Sequence, residues 1–268
     1  VISVRSNGTE MLNGQNLKGY YLPLGATNIM TTGQEYKDIF AVWDWTRVPG
    51  TTAVANQSTA ELRWYLFGSN RFAGGVSNGR NGIIAYEHVY QGVQAQKAYF
   101  FLGDAMVCLG AGITAARTQE VRTSVNQCLA DGDVTYGVMG RVDKLTDELS
   151  DTSIDWVYHN NVGYVFPEGG NITCRRTMQT GTWRDIAVTG SEEQISKDVF
   201  SVWLSHGTTP QNDTYCYIVM PDKPLSFFTT DGFDSQMKIV ANTEKMQAVV
   251  NEDRGQYAVV FYEPGNIK

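Results

Sequence analysis

The chain has 268 residues, of which 42% are hydrophobic and 12% aromatic, enough to bury a large core. Its formal net charge of −7 gives no support for nucleic-acid binding, and it disfavours a polyanionic ligand unless another domain supplies positive charge. No apolar run approaches the roughly 20 residues that a membrane-spanning helix needs. The composition therefore indicates a soluble globular piece with no part in membrane or nucleic-acid binding.

The first loop of the chain is polar and contains Arg5, Glu10, Asn13 and Asn16. It precedes the aromatic run Gly19-Tyr20-Tyr21, which reads as the entry to a β scaffold. Polar loops at the edge of a rigid scaffold are where functional sites are usually built. Because the chain begins at Val1, with no initiator Met or signal peptide before this loop, we expect it to hold only half of a site.

Strand signals then dominate the chain, and helical signals are nearly absent. Two hairpins are predicted, at residues 99–109 around Gly103-Asp104 and at residues 157–166 around Asn160-Asn161. Residues 199–205 alternate, as do residues 215–220, and each alternation predicts a strand with two different faces. Residues 243–251 are compatible with a short helix, but their pattern does not require one.

Many short strands separated by Asn-Gly and Asp-Gly turns predict an all-β fold, a large antiparallel sandwich. A domain boundary is expected where Pro221, Pro224, Asp231 and Gly232 cluster. We therefore predict a central β domain over residues 1–225 and the truncated start of a smaller β domain over residues 226–268.

The usual catalytic and metal-binding patterns are missing from the sequence. There is no Gly-x-Ser-x-Gly elbow and no phosphate-binding glycine loop. The three His are scattered, so we interpret them as structural residues, and the four Cys lie in apolar runs as expected for buried free thiols, although one disulfide stays possible. Most Trp residues are expected in the core, whereas Trp64 lies in a loop-like stretch where an aromatic ring suits the apolar face of a sugar.

Several runs, in order along almost the whole chain, resemble the central β domain of polysaccharide lyase family 8, the chondroitin, hyaluronan and xanthan lyases, and within it the bacterial chondroitin AC lyases. The matching runs are residues 5–10, Asn13, Asn16, Gly19-Tyr20-Tyr21-Leu22, residues 25–29, Trp43-Asp44-Trp45, Pro49-Gly50-Thr51, residues 72–77, Ala95-Gln96-Lys97-Ala98, residues 108–113, Gly163-Tyr164, residues 166–169, His206-Gly207, Ala241-Asn242-Thr243 and Gln247-Ala248-Val249.

The resemblance implies a large antiparallel super-sandwich of the galactose mutarotase-like kind, within a secreted or periplasmic bacterial enzyme. Such an enzyme cleaves uronic acid-containing glycosaminoglycans by β-elimination. In this family an N-terminal α/α toroid carries the Asn, His, Tyr and Arg that perform the elimination. The partners implied are an acidic polysaccharide and that toroid of the same polypeptide, in a monomer, and the present chain alone is expected to be inactive.

By residue-by-residue match, Glu10 takes the place of the family's β-domain glutamate, which organises the catalytic set without acting as the base. Asn13 matches a residue that faces the substrate, and Trp64 matches an aromatic that stacks on a sugar ring. Arg5 lies in the same matched segment, and its suggested role is an ion pair with Glu10.

The resemblance also bears on calcium, which some chondroitin AC lyases hold near the first Trp-rich strand. Here Asp44 fills the first ligand position, whereas Thr46 and Ala55 replace the other acids. Because calcium needs several hard oxygen ligands, we expect the site to be lost or weak and predict no cofactor.

Two other readings stay open at this point. The chain is also compatible with a non-catalytic carbohydrate-binding β-sandwich, or with a mutarotase-like sugar-active protein. The preferred polysaccharide, its sulfation and endo or exo action are not specified by the sequence.

Overall fold

A computed structural model of the chain describes residues 2–4, 14–56, 70–230 and 237–267. Nineteen strands lie within these residues. In chain order they are β1 (Ile2–Val4), β2 (Leu24–Thr27), β3 (Thr52–Val54), β4 (Ala73–Ser77), β5 (Gly82–Tyr90), β6 (Val93–Leu102), β7 (Ala105–Ala115), β8 (Glu120–Leu129), β9 (Val134–Val138), β10 (Arg141–Lys144), β11 (Glu148–Asp151), β12 (Ile154–His159), β13 (Val162–Val165), β14 (Asn171–Gly181), β15 (Ile195–Thr208), β16 (Asp213–Pro221), β17 (Lys238–Asn242), β18 (Met246–Asn251) and β19 (Gln256–Phe261).

The strands form four sheets, and every described pair is antiparallel. A nine-stranded sheet has the order β10-β9-β12-β13-β16-β7-β6-β5-β4, and a five-stranded sheet has the order β11-β14-β15-β8-β3. Two small sheets consist of β1-β2 and β17-β18-β19. This architecture confirms the predicted all-β antiparallel super-sandwich.

The two large sheets enclose the main hydrophobic core. Phe200 and Val202 of β15 belong to the same buried cluster as Tyr215, Tyr217 and Val219 of β16. These are the faces that the alternating patterns predicted, and both hairpins also form where expected. Fully burying one such side chain contributes roughly 1.5–3 kcal/mol, so this core is the largest source of stability.

The nine-stranded sheet is covered on its other face as well. Ile218 and Met220, which alternate with the core residues of β16, pack with Phe228 and Val249. Phe228 comes from a single helical turn, α1 (Leu225–Thr229), and Val249 from the three-stranded sheet. Strand β16 is therefore apolar on both sides because it lies between two layers.

A third layer covers the outer face of the five-stranded sheet. Tyr20, Ile39, Trp43 and Val48, from the long connection before β3, pack against Val199 of β15. Apart from β2 and the turn Gly19–Tyr21, which is a short 3₁₀ helix, this connection consists of irregular segments and turns. Its backbone is held by side-chain contacts and by scattered backbone hydrogen bonds to β8, such as those of Glu35 with Leu129 and of Gly50 with Ser124.

The suggestion of a helix near residues 243–251 is not what the structure shows. Strand β18 occupies most of that segment and pairs with β17 and β19. The helix α1 was not predicted, because five residues are too few to display a helical period. It lies at the expected domain boundary at 225/226, and that boundary stays a prediction. None of the helices in the described ranges is long and apolar enough to cross a membrane.

Two glycines meet where the connection crosses the sandwich. Gly25 and Gly50 have φ of +83° and +82°. A Cβ built on Gly50 would lie 2.4 Å from the carbonyl oxygen of Gly25, and one on Gly25 would lie 2.3 Å from the Tyr99 hydroxyl. Both positions therefore require glycine, for backbone conformation and for space.

The same crossing receives a buried lysine. Lys97 of β6 is fully buried, and its Nζ donates to the carbonyl oxygen of Gly50 at 2.7 Å. Burial lowers the pKa of Lys97 to about 7, and nearby Cys108 opposes this shift. Beside it, burial and then the Lys97 charge lower the pKa of His88 to about 3.

The glycine crossing can be tested by a pair of substitutions. Gly50→Ala is expected to lower the free energy of unfolding by roughly 3 kcal/mol or more, because strain at positive φ adds to a clash with backbone. Gly33 has the same φ of +82° but no atom within 4 Å of its added Cβ. Gly33→Ala should therefore cost only about 1 kcal/mol, and equal urea midpoints for the two variants would contradict the close approach.

The pKa of Lys97 predicts a pH dependence of stability. Between pH 7 and 10.5 the unfolded chain holds a proton on this lysine that the folded chain has lost, so stability rises with pH in that window. The free energy of unfolding of the wild type minus that of Lys97→Met should rise by up to about 1.4 kcal/mol per pH unit. Urea unfolding at several pH values measures this difference, and a flat difference would contradict the lowered pKa.

Candidate functional site

The predicted site residues Glu10, Asn13 and Trp64 lie outside the described residues, as does Arg5. They belong to two segments, residues 5–13 and residues 57–69. What the structure defines is the place where each segment joins the sandwich, and the side chains that surround those four junctions.

The first segment runs from the end of β1 to Gly14. Strand β1 pairs with β2, with Val4 opposite Leu24, and the Leu24 carbonyl accepts a 2.7 Å hydrogen bond from the Tyr86 hydroxyl. At the other end, the Gly14 carbonyl accepts from the amide of Val188 at 2.8 Å. Both ends of the segment are therefore tied to the body of the fold.

The second segment runs from one large sheet to the other. It begins after Asn56, next to Ala55, whose amide donates to the Glu120 carbonyl at the start of β8. It ends at Asn70, whose Nδ2 donates to the Glu87 carbonyl of β5 at 2.7 Å. The amide of Arg71 donates to the Glu87 carboxylate at 3.0 Å. Trp64 therefore lies in a connection between the five-stranded and nine-stranded sheets.

Among the described side chains, Tyr21, Tyr90, Gln91 and Arg117 form a polar corner. The Tyr21 hydroxyl donates to Gln91 Oε1 at 3.1 Å, and its ring packs edge-on against Tyr90 with centroids 5.8 Å apart. Arg117 Nε donates to the Gln91 carbonyl at 2.9 Å. Gln91 has a φ of +50° in the tight turn between β5 and β6, so the arginine fixes this turn.

The pKa values of Tyr21, Tyr90 and Glu120 are all shifted away from neutrality. Burial raises the pKa of Tyr21 and of Tyr90, so both phenols stay protonated. Burial alone would raise the pKa of Glu120, but hydrogen bonds from Arg122 and Ser205 hold it below its usual value. These groups are suited to holding backbone and orienting neighbours, not to taking a proton from a weak carbon acid.

The Trp-rich run is built around one carboxylate. Asp44 Oδ1 accepts from the Thr46 hydroxyl at 2.7 Å, and Oδ2 accepts from Arg47 Nε at 2.6 Å. The Arg47 guanidinium in turn lies 4.4 Å from the ring centre of Trp203. Within the described part of the chain, no group of three or more His, Cys, Asp or Glu side chains is arranged to hold a metal ion. The Asp44 carboxylate has an arginine and a threonine as partners.

The histidines and cysteines are all buried, as expected for structural residues. His206 resembles the centre of a catalytic triad, with Asp213 at 2.8 Å from Nδ1 and the Thr123 hydroxyl at 2.8 Å from Nε2. However, Thr123 is completely buried and its hydroxyl also lies 2.9 Å from that of Thr52. The arrangement therefore joins strands of the sandwich and has no route to a substrate.

Sequence reasoning missed the polar corner and the hydrogen bond from Lys97 to the Gly50 carbonyl. Arg117 and Tyr90 are far apart in sequence from Tyr21, so no local pattern relates them. Lys97 carried one signal, a single charge within the otherwise uncharged run of β6, but its partner is a glycine carbonyl almost fifty positions away.

The chain matches two neighbouring family models. Residues 1–231 match the super-sandwich domain of polysaccharide lyase family 8, and residues 238–268 match the C-terminal β-sandwich domain of the same family.

Curated relatives align with the chain from end to end. It is 38% identical over 274 residues to Chondroitinase-AC of Pedobacter heparinus. That alignment covers 100% of this chain and 38% of the relative. It is 30% identical over 279 residues to a hyaluronate lyase of Thermasporomyces composti, covering 99% of this chain and 36% of the relative.

A solved structure of chondroitinase AC lyase superimposes on 98% of this chain with a TM-score of 0.92 and 35% sequence identity, and the chain covers 40% of that structure. The chain thus spans about two fifths of the length of these relatives.

The pairing of Asp44 with Arg47 can be tested by substitution. Arg47→Met should lower the free energy of unfolding by about 1–2 kcal/mol, because it leaves a mostly buried carboxylate without its cation and removes one of the three guanidinium groups that lie over Trp203. Lys144→Met, which removes an exposed pair with Asp133, should have no measurable effect.

Calcium provides a separate measurement on the same carboxylate. Because Asp44 already has a cationic partner, we expect the wild-type Tm to be the same in millimolar CaCl2 and in EDTA. A calcium-dependent rise in Tm that Asp44→Asn abolishes would contradict this expectation.

Proposed function

Because the chain belongs to polysaccharide lyase family 8, we propose that it is the central part of an enzyme that cleaves uronic acid-containing glycosaminoglycans by β-elimination. The observation that supports this most directly is the end-to-end match to a chondroitinase at 38% identity. The substrate class proposed is chondroitin or hyaluronan, as in the names of these two relatives.

The reaction explains why a domain without a base of its own matters. A proton must leave C5 of the uronate, and this carbon acid is weak until the charge of the adjacent carboxylate is neutralised. A base then takes the proton, and an acid protonates the departing glycosidic oxygen. The pKa values of Tyr21, Tyr90 and Glu120 are shifted away from neutrality, which fits a supporting wall of the cleft.

In this proposal the base, the acid and the group that neutralises the uronate come from an N-terminal α/α toroid of the same polypeptide. Glu10 pairs with an arginine or histidine of that toroid and fixes its orientation and protonation. Asn13 faces the substrate, and Trp64 stacks on a sugar ring. Arg5 contributes an ion pair to Glu10.

Charge and location complete the proposal. A body with a net charge of −7 does not attract a polyanion, so the positive surface of the cleft comes from the toroid. The enzyme acts as a bacterial monomer outside the cytoplasm, because its polymeric substrate is extracellular.

The division of labour is tested with the present chain alone. Incubated with chondroitin sulfate or hyaluronan, it should produce no rise in the ultraviolet absorbance of unsaturated uronate, since the base and the acid lie elsewhere. A clear rise would show that this chain holds the base. Binding of the polymer with high affinity by the isolated chain would instead favour the carbohydrate-binding reading.

The role of Glu10 is tested in the full-length protein. Glu10→Gln should lower kcat by about 100-fold with Tm unchanged, because a misoriented catalytic group loses most of the benefit of positioning. The matched control is Glu193→Gln, which changes an exposed glutamate in the loop before β15. Wild-type turnover in Glu10→Gln would remove this residue from the site.

A further inference from the structure

The buried lysine at the crossing of Gly25 and Gly50 has a physical cost that calls for a function. Removing an ammonium group from water is expensive, and among the described residues the hydrogen-bond partner of Lys97 is a backbone carbonyl, not a carboxylate. Its Nζ instead donates to the carbonyl oxygen of Gly50 at 2.7 Å. The same nitrogen lies 6.0 Å from the ring centre of Tyr86 and 5.8 Å from that of Tyr215. A methionine would fill the same apolar space at lower cost.

Two tyrosines, Tyr86 of β5 and Tyr99 of β6, bind backbone carbonyls close to that of Gly50. The Tyr99 hydroxyl lies 3.0 Å from the carbonyl oxygen of Gly25 and 3.2 Å from that of Gly50. The Tyr86 hydroxyl donates to the carbonyl of Leu24 at 2.7 Å. We call Tyr86, Lys97 and Tyr99 the carbonyl clamp, because all three side chains hold backbone carbonyls of the irregular connection.

The clamp attaches the smallest sheet to the nine-stranded sheet, while the backbone of Gly50 and Thr51 is bonded to Ser124 of β8 in the five-stranded sheet. Strand β2 pairs with β1 and with neither large sheet. Its further backbone tie is the amide of Thr27, which donates to the Pro49 carbonyl at 2.8 Å. Tyr86 and Tyr99 bind β2 directly, and Lys97 binds Gly50, which is next to Pro49 and also donates to the Ser124 carbonyl of β8. The clamp therefore fixes β2, and through it β1, to the nine-stranded sheet.

We propose that Lys97 is a positioning residue for the segment of residues 5–13: with Tyr86 and Tyr99 it holds β2, and hence β1, where that segment leaves the sandwich. This inference rests on the proposed role of Glu10 in the full-length enzyme. A lysine is suited to the task because its long side chain brings an N–H donor from β6 to a buried carbonyl that would otherwise have one donor fewer.

The test uses full-length protein with Lys97→Met and the milder Tyr99→Phe, which keeps the ring and removes the donor. The control is Val157→Ala, a fully buried change in β12 that weakens the core away from the clamp. Hydrogen exchange of peptides spanning residues 20–30 and 47–53 reports on the clamp, and kcat and KM on chondroitin sulfate report on the site.

The clamp variants should exchange at least about tenfold faster in those peptides and lose about tenfold or more in kcat, with KM within about twofold. Val157→Ala should lower Tm by a similar amount and leave kcat unchanged. Unchanged exchange would overturn the clamp, and faster exchange with wild-type kcat would overturn its positioning role.

Glu10→Gln, measured in parallel, separates the two proposals. If that variant keeps its turnover while Lys97→Met loses it, the assignment of Glu10 fails and the clamp positions another group of the segment. If both lose turnover and the clamp peptides exchange faster, both proposals stand.

Discussion

The contact between Gly25 and Gly50 is the constraint on which the irregular part of this protein depends. The Gly25 carbonyl occupies the space that a Cβ at residue 50 would need, so the two backbone segments touch without side chains between them. Their carbonyls are thereby buried together and need donors. Lys97 and Tyr99 supply those donors from a strand of the nine-stranded sheet, and Ser124 of β8 binds the same crossing through its backbone. The long connection is thereby fixed to both large sheets.

Apolar contacts between successive layers stabilise the rest of the fold. The nine-stranded sheet is apolar on both faces, since one face meets the five-stranded sheet and the other meets α1 and the small C-terminal sheet. The five-stranded sheet is covered outside by the connection that includes Trp43 and Trp45. Each layer therefore relies on the next, and the clamp lies where the connection passes between two of them.

The ionisable groups of the described residues mainly hold backbone and neighbouring side chains. The Tyr21–Tyr90 corner holds the turn between β5 and β6 with neutral phenols and one arginine, and its groups are not tuned for proton transfer. Asp44 has Arg47 as its cation, and the same guanidinium covers Trp203.

Local pattern in the sequence determined the class of fold. The alternation at residues 199–205 and 215–220 is a property of the strand itself, so it predicted both strands and the faces they bury. Ordered matches along the chain identified the family and named Glu10, Asn13 and Trp64. Tertiary structure alone decided that Lys97 meets Gly50, that His206 links Asp213 to Thr123, and that residues 246–251 form a strand. Those outcomes depend on groups brought together by folding from distant positions, and no pattern within a single segment encodes such an encounter.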